Sequence, residues 1–369
     1  MLKEYQIVIF IPSIENGGVE KNLELISNYL AKKKGINLSI VTAFKNNNFI
    51  FNKKIKFYTF DSKFNKIFNT RFFRTALATL LLLRFIFKKK AIIFSFQSNI
   101  VAIIFAKIFN KKIIIRLNTS PEKYINNFFK KKFYRFFYSL SDLIIVNSKN
   151  FKKKIYSLTS NNLFKKNITH IYNPCLKIKP KKIIFNFFKK EELKIINIGR
   201  LTDQKDQITL LKSFKKLIKI RAAKLLIIGN GNKRKKINNF IIENNLDNFV
   251  KLMDYKKNAI DYLNISDVFV LSSKYEGLPN VLIECLYLKK YIISTNCDTG
   301  PKEILYNGKI GTLFQVGNDK QLFKILLKIN LNSNLLSNKI LKAYKSFDRF
   351  DYIKNSEKYY KSISSLIKN

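Results

Sequence analysis

The sequence DVFVLSSKYEGLPNVLIE, residues 267–284, decides the fold class because it joins a strand, a short loop and a helix. Its first part, Asp267 to Leu271, is an apolar run typical of a buried strand. Two serines end that strand, so Glu276 falls in the loop at its carboxyl end. In open α/β sheets, ligands bind in the crevice along this edge. The stretch therefore predicts a parallel sheet with a ligand site beside Glu276.

A helix is expected to begin where this loop ends. Pro279 can occupy the first helical turn without losing a hydrogen bond, and the N–H groups after it point out of the helix end. Such a terminus binds a phosphate group well. Glu284 follows two turns into the helix, so two carboxylates flank the helix start. A surface loop with two solvated acids is the alternative, but the Gly-Leu-Pro-Asn insert at 277–280 favours a ligand site.

A second strand and loop supply two cations. Residues 194–205 read as a strand followed by a short loop, and a helix begins at Asp206. Gly199 allows a close turn, and Arg200 with Lys205 would present a planar fork and a point charge to one polyanion. Together they could neutralise a diphosphate without a metal. Ordinary surface cations in a lysine-rich chain are the alternative. The apolar positions of the helix are Ile208, Leu211, Phe214 and Leu217.

The length of 369 residues and the hydrophobic fraction of 47% predict two folded domains. Strands alternate with helices, which predicts α/β domains with parallel sheets. We expect a first domain at residues 1–172, a linker at 173–193, a second domain at 194–349 and a helix-like segment at 350–369. A cleft between the domains follows. The predicted strands are Gln6–Ile11, Asn37–Thr42, Ala91–Phe96, Lys112–Leu117, Asp142–Asn147, Lys194–Gly199, Lys224–Gly229, a short strand near Val250, Asp267–Leu271 and Tyr291–Thr295.

The chain carries 70 Lys and Arg residues against 24 Asp and Glu residues, a formal net charge of +46. An AT-rich coding sequence would account for much of this excess, but the charge attracts anionic surfaces whatever its origin. Two segments, residues 63–74 and 128–138, mix cations with aromatic residues as interfacial helices do. They predict peripheral contact of the first domain with an anionic membrane. The alternative is that their aromatic residues fill the core.

Cytoplasmic residence is expected, with at most peripheral contact at the inner face of the cytoplasmic membrane. The chain begins almost at once with the strand Ile7 to Ile11, which leaves no room for a secretory signal. The apolar runs at 75–87 and 91–105 are interrupted by Arg84 and by polar residues, so no membrane-spanning helix is predicted. The three cysteines show no C-x-x-C spacing and are interpreted as reduced, packed thiols; they are Cys175, Cys285 and Cys297.

Five motifs in order resemble the retaining glycosyltransferases of family 4, whose two-Rossmann architecture is called GT-B. They are Gly17-Gly18-Val19-Glu20, Gly199-Arg200-Leu201 with Lys205, Gly229-Asn230-Gly231, Glu276 with Glu284, and Gly300-Pro301-Lys302-Glu303-Ile304. The resemblance spans nearly the whole chain. It implies two doubly wound parallel-sheet domains that face a central cleft, with a final helix that crosses back to the first domain.

The resemblance also implies roles for individual residues. Arg200 and Lys205 would hold the donor diphosphate, Glu284 would take the ribose hydroxyls, and Glu276 would face the transferred sugar. Backbone N–H groups at the helix start would touch the sugar hydroxyls and the phosphate. The implied catalytic residues are Glu276, Arg200 and Lys205, and the implied donor-binding residues are Gly17, Gly18, Gly199, Arg200, Lys205, Gly229, Gly231, Gly277, Leu278, Pro279, Asn280, Val281 and Glu284.

The chain departs from the family pattern in three places. The glycine usual after the lysine is Asp206, and a glycine usual in a later strand–loop region is replaced by Asp254, which leaves recognition of the base open. Many relatives carry a histidine near the sugar, whereas the only histidine here is His170, in a strand-like segment. We interpret His170 as structural.

The predicted activity is transfer of a hexosyl-type group from a UDP- or GDP-linked sugar to a lipid-linked or cell-envelope glycan acceptor, with retention at the anomeric carbon. No D-x-D pair is present, so neither a metal nor a cofactor beyond the nucleotide sugar is expected. Retaining hydrolases use one of two neighbouring carboxylates as a nucleophile. No second carboxylate of that kind can be named here, and the resemblance implies front-face attack assisted by the leaving phosphate.

Three other functions would require different features. A GT-B sugar-nucleotide epimerase would need no second substrate. A nicotinamide enzyme would need G-x-G-x-x-G, and the segment 229–234 lacks the third glycine. A basic nucleic-acid-binding protein would explain the charge but none of the motifs.

Overall fold

The computed structural model describes residues 5–60, 70–88, 90–119, 127–158, 168–297 and 299–368. The chain divides into two compact units. Unit 1 comprises Met1–Pro174 with Phe350–Asn369, and unit 2 comprises Cys175–Arg349. Each unit is built on one large parallel β-sheet with helices packed against it. The predicted α/β class is therefore confirmed.

Unit 1 alternates strands and helices along the chain. Its strands are β1 (Tyr5–Phe10), β2 (Ser13–Ile14), β3 (Ile36–Val41), β4 (Phe44–Lys45), β5 (Lys56–Tyr58), β6 (Ala91–Ser95), β7 (Lys112–Leu117), β8 (Leu143–Val146) and β9 (Ile168–His170). Its helices before residue 170 are α1 (Gly18–Leu30), α2 (Arg71–Leu82), α3 (Asn99–Ile108), α4 (Phe128–Ser139) and α5 (Lys149–Leu158).

The sheet of unit 1 has the order β5-β3-β1-β6-β7-β8-β9, with every neighbouring pair parallel. Its central strands are apolar on both faces because helices cover both sides of the sheet. One core layer lies under α2, α3 and α5, and the other lies under α1. Strand order reverses between β1 and β6, so this pair is the topological switch point of unit 1.

Unit 2 repeats the alternation. Its strands are β10 (Leu193–Ile198), β11 (Ala223–Ile228), β12 (Val250–Met253), β13 (Val268–Leu271), β14 (Tyr291–Thr295) and β15 (Thr312–Phe314). Its helices are α6 (Gln207–Leu217), α7 (Arg234–Glu243), α8 (Ala259–Asn264), α9 (Asn280–Tyr287), α10 (Pro301–Ile304), α11 (Asp319–Leu327) and α12 (Asn334–Lys345).

The sheet of unit 2 has the order β12-β11-β10-β13-β14-β15, again with parallel neighbours. Strand order reverses between β10 and β13, which makes their carboxyl ends the switch point of unit 2. Asp267 fixes this pairing at its other end, because its Oδ2 accepts a hydrogen bond of 2.9 Å from the backbone N–H of Lys194. The loops that leave β10 and β13 therefore start side by side.

The final helix α13 (Tyr352–Lys368) packs within unit 1. Tyr359 and Ile363 are fully buried in the same core layer as α1. Glu357 joins the two helices, since its Oε2 accepts hydrogen bonds from the hydroxyl of Tyr29 at 2.6 Å and from Lys33 Nζ at 2.7 Å. Burying an aromatic or branched aliphatic side chain contributes about 1.5–3 kcal/mol. The helix is thus held mainly by its apolar face.

The segment predicted as an inter-domain linker, residues 173–193, divides between the units at Pro174 and Cys175. Its later part packs on unit 2: the backbone N–H of Lys181 donates to Asp261 Oδ1 at 2.8 Å, and the rings of Phe185 and Tyr262 lie 5.3 Å apart. No helix within the described ranges combines the length and apolar character needed to cross a bilayer.

Candidate active site at the switch point of unit 2

The loops after β10 and β13 are tied together by hydrogen bonds at the carboxyl edge of the sheet. The backbone N–H of Lys274 donates to the carbonyl of Gln204 at 2.8 Å, and the Gln204 side-chain amide donates to the carbonyl of Tyr275 at 3.0 Å. Ser272 Oγ donates to the carbonyl of Lys205 at 2.9 Å. These contacts bring the two predicted catalytic segments into one site.

Lys205 and Glu276 form an ion pair in this site. Lys205 Nζ lies 2.6 Å from Glu276 Oε1, and the two side chains are 14% and 7% exposed. At this depth each charge would be unfavourable without the other. The carbonyl of Glu276 also accepts a hydrogen bond of 2.5 Å from Thr299 Oγ1, which anchors the loop to the segment after β14.

Arg200 lies at the start of the same loop as Lys205 but has a different environment. Its side chain is exposed, and its carbonyl accepts a hydrogen bond of 3.1 Å from Gln207 Nε2. In the part of the chain that the structure describes, its guanidinium forms no hydrogen bond or ion pair. A guanidinium presents five N–H donors in a planar fork that matches a phosphate. The loop thus offers one paired and one available cation.

Asp206, which stands where the family usually has glycine, lies at the N-cap of α6 in the left-handed conformation, with φ 46° and ψ 52°. Glycine adopts this conformation without steric cost, and Asp tolerates it better than most side chains do. Its Oδ2 accepts a hydrogen bond of 2.7 Å from Thr209 Oγ1. The departure therefore has a local backbone explanation, with a side-chain bond that stabilises it.

Gly229 and Gly231 let the loop after β11 pack directly on the loop after β10. A Cβ at Gly229 would lie 1.9 Å from the carbonyl oxygen of Gly199, and a Cβ at Gly231 would lie 2.2 Å from that of Leu201. Backbone hydrogen bonds join the two loops, including Leu201 N–H to the Asn230 carbonyl at 2.9 Å. Close backbone packing thus requires both glycines; their contact with a nucleoside remains a prediction.

The helix after Glu276 begins where the loop ends, as the sequence predicts. α9 begins at Asn280, and Pro279 is its extended N-cap residue (φ −72°, ψ 117°) rather than a member of the first turn, as the sequence analysis had it. Proline fits this position because its fixed φ suits both the extended N-cap conformation and a helical first turn. Gly277, Leu278 and Pro279 are buried. The site of the predicted amide donors is thus a packed loop that leads into the helix.

Val281 and Glu284 lie in α9, where both side chains are partly exposed. The carbonyl of Glu284 accepts the backbone N–H of Leu288 at 3.0 Å, as expected inside a helix. Gly300 supports the loop before α9 from the other side, since a Cβ there would lie 1.7 Å from the Gly277 carbonyl oxygen. The sequence analysis included Gly300 in a motif but gave it no role.

Gly17 and Gly18 belong to unit 1, at the start of α1. Gly17 is the N-cap residue, and its carbonyl accepts a hydrogen bond of 3.1 Å from the backbone N–H of Lys21. Glu20 in the first turn is buried, and its Oε1 accepts a hydrogen bond of 3.4 Å from Gln97 Nε2. Gly17, Gly18 and Glu20 come after β1 in the chain, and Gln97 comes after β6. These two strands form the switch point of unit 1.

Two residues singled out by sequence, Asp254 and His170, have structural partners, and so does Asp203. Asp254, the second departure from glycine, pairs through its Oδ1 with Arg234 Nη1 at 3.0 Å. His170 ends β9, and its ring lies 5.5 Å from that of Tyr172. Asp203, in the loop before Lys205, pairs with Lys233 at 2.9 Å, and the hydrogen bond from this lysine lowers the pKa of Asp203.

The described residues offer no cluster of metal ligands. Over residues 5–60, 70–88, 90–119, 127–158, 168–297 and 299–368, no three His, Cys, Asp or Glu side chains cluster closely enough to hold a metal ion. The cysteines are buried free thiols, and burial raises the pKa of Cys285 well above its usual value. Metal independence of the reaction stays a prediction.

Comparison with known proteins adds to this geometry. Residues 178–346 match the family described as Glycosyl transferases group 1. An uncharacterized glycosyltransferase of Methanocaldococcus jannaschii is 38% identical over 222 residues, 56% of this chain. The chain covers only about half of that relative's length, 55%. The N-acetylgalactosamine-N,N'-diacetylbacillosaminyl-diphospho-undecaprenol 4-alpha-N-acetylgalactosaminyltransferase of Campylobacter jejuni is 28% identical over 284 residues, 72% of this chain and 74% of that protein.

A solved structure resembles the chain over nearly its whole length. HepE of Anabaena, in complex with UDP-glucose, matches with a TM-score of 0.75 at 14% identity, covering 98% of this chain and 99% of that chain. At this level of identity the likeness concerns the fold. It confirms the predicted GT-B architecture.

Proposed function

We propose that the protein, whose residues 178–346 match the family described as Glycosyl transferases group 1, transfers a hexosyl-type group from a UDP- or GDP-linked sugar to a lipid-linked or cell-envelope glycan acceptor. The reaction retains the configuration of the anomeric carbon and needs no metal. The observation that carries the proposal is the site at the ends of β10 and β13, inside the matched region, where Lys205 pairs with Glu276 and shares its loop with Arg200.

The cations of this site suit a nucleoside diphosphate as ligand and as leaving group. Arg200 is exposed and presents a planar fork, while Lys205 is held by Glu276 at 2.6 Å and so is already oriented. When the bond from the anomeric carbon to the diphosphate breaks, negative charge grows on the diphosphate oxygens. Fixed donors directed at such growing charge supply a large part of a rate enhancement.

Glu276 has two roles in this proposal. In the ligand-free protein its carboxylate is the countercharge of Lys205. With donor bound, the diphosphate takes over part of that pairing, and the carboxylate orients the sugar and favours positive charge near its ring. The acceptor hydroxyl attacks from the face that the diphosphate leaves, and its proton goes to a diphosphate oxygen. One such displacement, without a covalent intermediate, gives retention.

The acceptor class is supported by a relative. The matched Campylobacter jejuni enzyme is named for an acceptor linked to diphospho-undecaprenol, and the match covers 72% of this chain. A polyprenyl diphosphate-linked glycan is therefore the acceptor to test first.

The purified chain is incubated with UDP- and GDP-sugars, with and without such an acceptor, in magnesium and in EDTA. Acceptor-dependent release of one nucleoside diphosphate is expected at equal rates in both buffers, with the product's anomeric configuration read by NMR. Conversion of the donor without acceptor would instead indicate an epimerase, and no turnover with any donor would contradict the proposal.

Two site variants and one matched control give the residue-level test. Lys205→Ala and Glu276→Gln are expected to lose about a hundredfold or more of the rate. Lys216→Ala breaks a lysine–carboxylate pair of 2.5 Å to Asp319 elsewhere in unit 2 and should keep the wild-type rate. Thermal melting checks that all three variants fold. Wild-type rates in a folded Lys205 or Glu276 variant would remove the assigned role.

A further inference from the structure

One face of unit 1 exposes apolar stripes on three neighbouring helices. The helices are α2, with the turn Leu83–Phe85 that follows it, α3 and α4, and all three pack over the same core layer. We call the solvent side of these helices, within residues 70–88, 99–108 and 127–139, the α2–α4 face. The inference drawn for this face rests on its composition and not on the net charge of the whole chain.

The first stripe runs along α2 and the turn after it. Phe72, Ala76, Leu80, Leu83 and Phe87 recur every three or four residues and are all exposed, with Phe72 at 77% and Phe87 at 92%. The core contacts of this segment come from a different side, which carries Ala78, Leu81, Leu82 and Phe85. The exposed stripe is therefore additional to the core side of the helix.

The second and third stripes lie on α3 and α4. Ile104 and Ile108 are one turn apart on α3 and exposed. On α4, Phe129, Phe133 and Phe136 follow helical spacing and are 80%, 48% and 59% exposed. No residue of α4 is buried.

The core-filling interpretation of segment 128–138 fits only the side of α4 that carries Phe137 and Tyr138, which pack on the core. It does not account for the exposed phenylalanines. In the other basic-aromatic segment, residues 63–69 lie outside the described residues.

The charges on this face have one sign. Residues 70–88 contain four cations, residues 99–108 contain one and residues 127–139 contain four, and none of these segments contains Asp or Glu. At the border of the face, Glu15 pairs with Arg74, and Asp142 lies 3.7 Å from Lys107. By contrast, α1 on the opposite side of the sheet carries Glu20 and Glu24. A lysine-rich composition alone would not produce this asymmetry.

From this arrangement we propose that the α2–α4 face docks unit 1 onto an anionic lipid bilayer. Exposed phenylalanine and leucine side chains would leave water for the boundary between headgroups and acyl chains, as in helices that lie in the membrane interface. Lys131 and Lys132 beside them would meet anionic headgroups, whose attraction adds for each cation. A nucleic acid would satisfy the cations but leave the apolar stripes in water. The inference does not depend on the glycosyl transfer proposed above.

The chain lacks tryptophan, which allows a direct test. Phe136→Trp puts a single indole on the face, and Leu335→Trp puts one at a 70% exposed position of α12 in unit 2. With phosphatidylglycerol-containing vesicles, the emission of the first variant should shift to the blue and be quenched by brominated lipid. The second should not change, and neither should respond to phosphatidylcholine vesicles. High salt should weaken the response.

Vesicle co-sedimentation supplies the loss-of-function arm. Lys131→Glu/Lys132→Glu and Phe129→Ser/Phe136→Ser should each lower binding to anionic vesicles by about tenfold or more. Lys342→Glu/Lys345→Glu, which makes the same charge change on α12, should bind like wild type. All variants should keep their melting temperature and their binding of nucleoside diphosphate, so failure here is separate from failure of the enzymatic proposal.

Three results would overturn the membrane assignment. They are equal responses of both tryptophan variants, equal binding to neutral and anionic vesicles, and a wild-type dimer that the face variants abolish. The last result would assign the face to a second copy of the chain.

Discussion

Lys205 Nζ donates a hydrogen bond of 2.6 Å to Glu276 Oε1, and this contact joins the loop after β10 to the loop after β13. Both side chains are largely withdrawn from water, at 14% and 7% exposure. The pair therefore keeps a cation and a carboxylate at the carboxyl edge of the sheet before any ligand arrives. A donor diphosphate would meet a lysine that is already in place.

Breaking this pair from one side should destabilise unit 2. Lys205→Met is expected to lower the free energy of unfolding by about 3 kcal/mol, because the Glu276 carboxylate stays buried without its countercharge. The double variant Lys205→Met/Glu276→Gln should recover most of the loss. Urea unfolding of wild type, both single variants and the double variant measures the coupling. Additive effects in this cycle would show that the two residues do not interact.

The backbone at Asp206 predicts an order of stability among substitutions. Asp206→Ala should lower the free energy of unfolding of unit 2 by about 1–2 kcal/mol, because alanine is strained at φ 46° and cannot accept the Thr209 hydrogen bond. Asp206→Gly loses the same bond but relieves the backbone, so it should lie within about 0.5 kcal/mol of wild type. Urea midpoints decide the order. Equal stability of the alanine and glycine variants would rule out a left-handed residue here.

The loop packing predicts opposite outcomes for two glycines in one site. Gly231→Ala forces a methyl group to within 2.2 Å of the Leu201 carbonyl oxygen and should destabilise unit 2 by about 1–3 kcal/mol. At Gly199, the nearest atoms to an added Cβ are side-chain carbons of Lys205 at 3.5 Å, an ordinary contact. Gly199→Ala should therefore melt like wild type. A large loss at Gly199 with none at Gly231 would contradict the described loops.

The attachment of α13 to α1 should depend on pH. The hydrogen bond from Lys33 lowers the pKa of Glu357, and the bond to Glu357 raises the pKa of Lys33. The lowered carboxyl pKa gives stability that is present above about pH 4.3 and is lost as pH falls through the folded-state value. The raised lysine pKa gives stability that is present below about pH 10.4 and is lost as pH rises through its folded-state value.

Glu357→Gln measures the acid side of this window. At neutral pH it should lower the unfolding free energy of unit 1 by about 0.5–1 kcal/mol, the range of a partly exposed pair. At pH 3 the difference from wild type should shrink. Glu243→Gln is the control, since the side chain of Glu243 is exposed and forms no ion pair or hydrogen bond with any residue the structure describes. A difference that grows in acid would contradict the assignment.

Much of the fold followed from runs of buried apolar residues. The predicted strands Lys112–Leu117 and Tyr291–Thr295 have the observed bounds, and the others shift by only one or two residues. Such runs are decisive because parallel strands are covered on both faces. The short strands β5 and β15 were not predicted from the sequence. A segment of three residues such as Lys56–Tyr58 shows no periodicity and gains its strand geometry only by pairing with a neighbour.

The position of the candidate site in the sheet could be predicted from the sequence, but the contacts between its side chains could not. Strand ends put Arg200, Lys205 and Glu276 on loops at one edge of a sheet, and adjacency of β10 and β13 brought the loops together. The ion pair depends on side-chain directions across 71 residues of sequence, which no local pattern encodes. The same holds for Gly300, whose motif was visible but whose contact with Gly277 arises only in the packed structure.

The most direct test of the central claim is calorimetric binding of UDP and GDP to the wild-type chain, Arg200→Ala and Lys219→Ala. Lys219 is exposed just after α6, so its variant removes a charge from the same unit outside the site. One of the two nucleotides should bind the wild type and the Lys219 variant equally, and the Arg200 variant about tenfold or more weaker. Equal binding by all three proteins, or binding of neither nucleotide, would contradict a diphosphate site at the ends of β10 and β13.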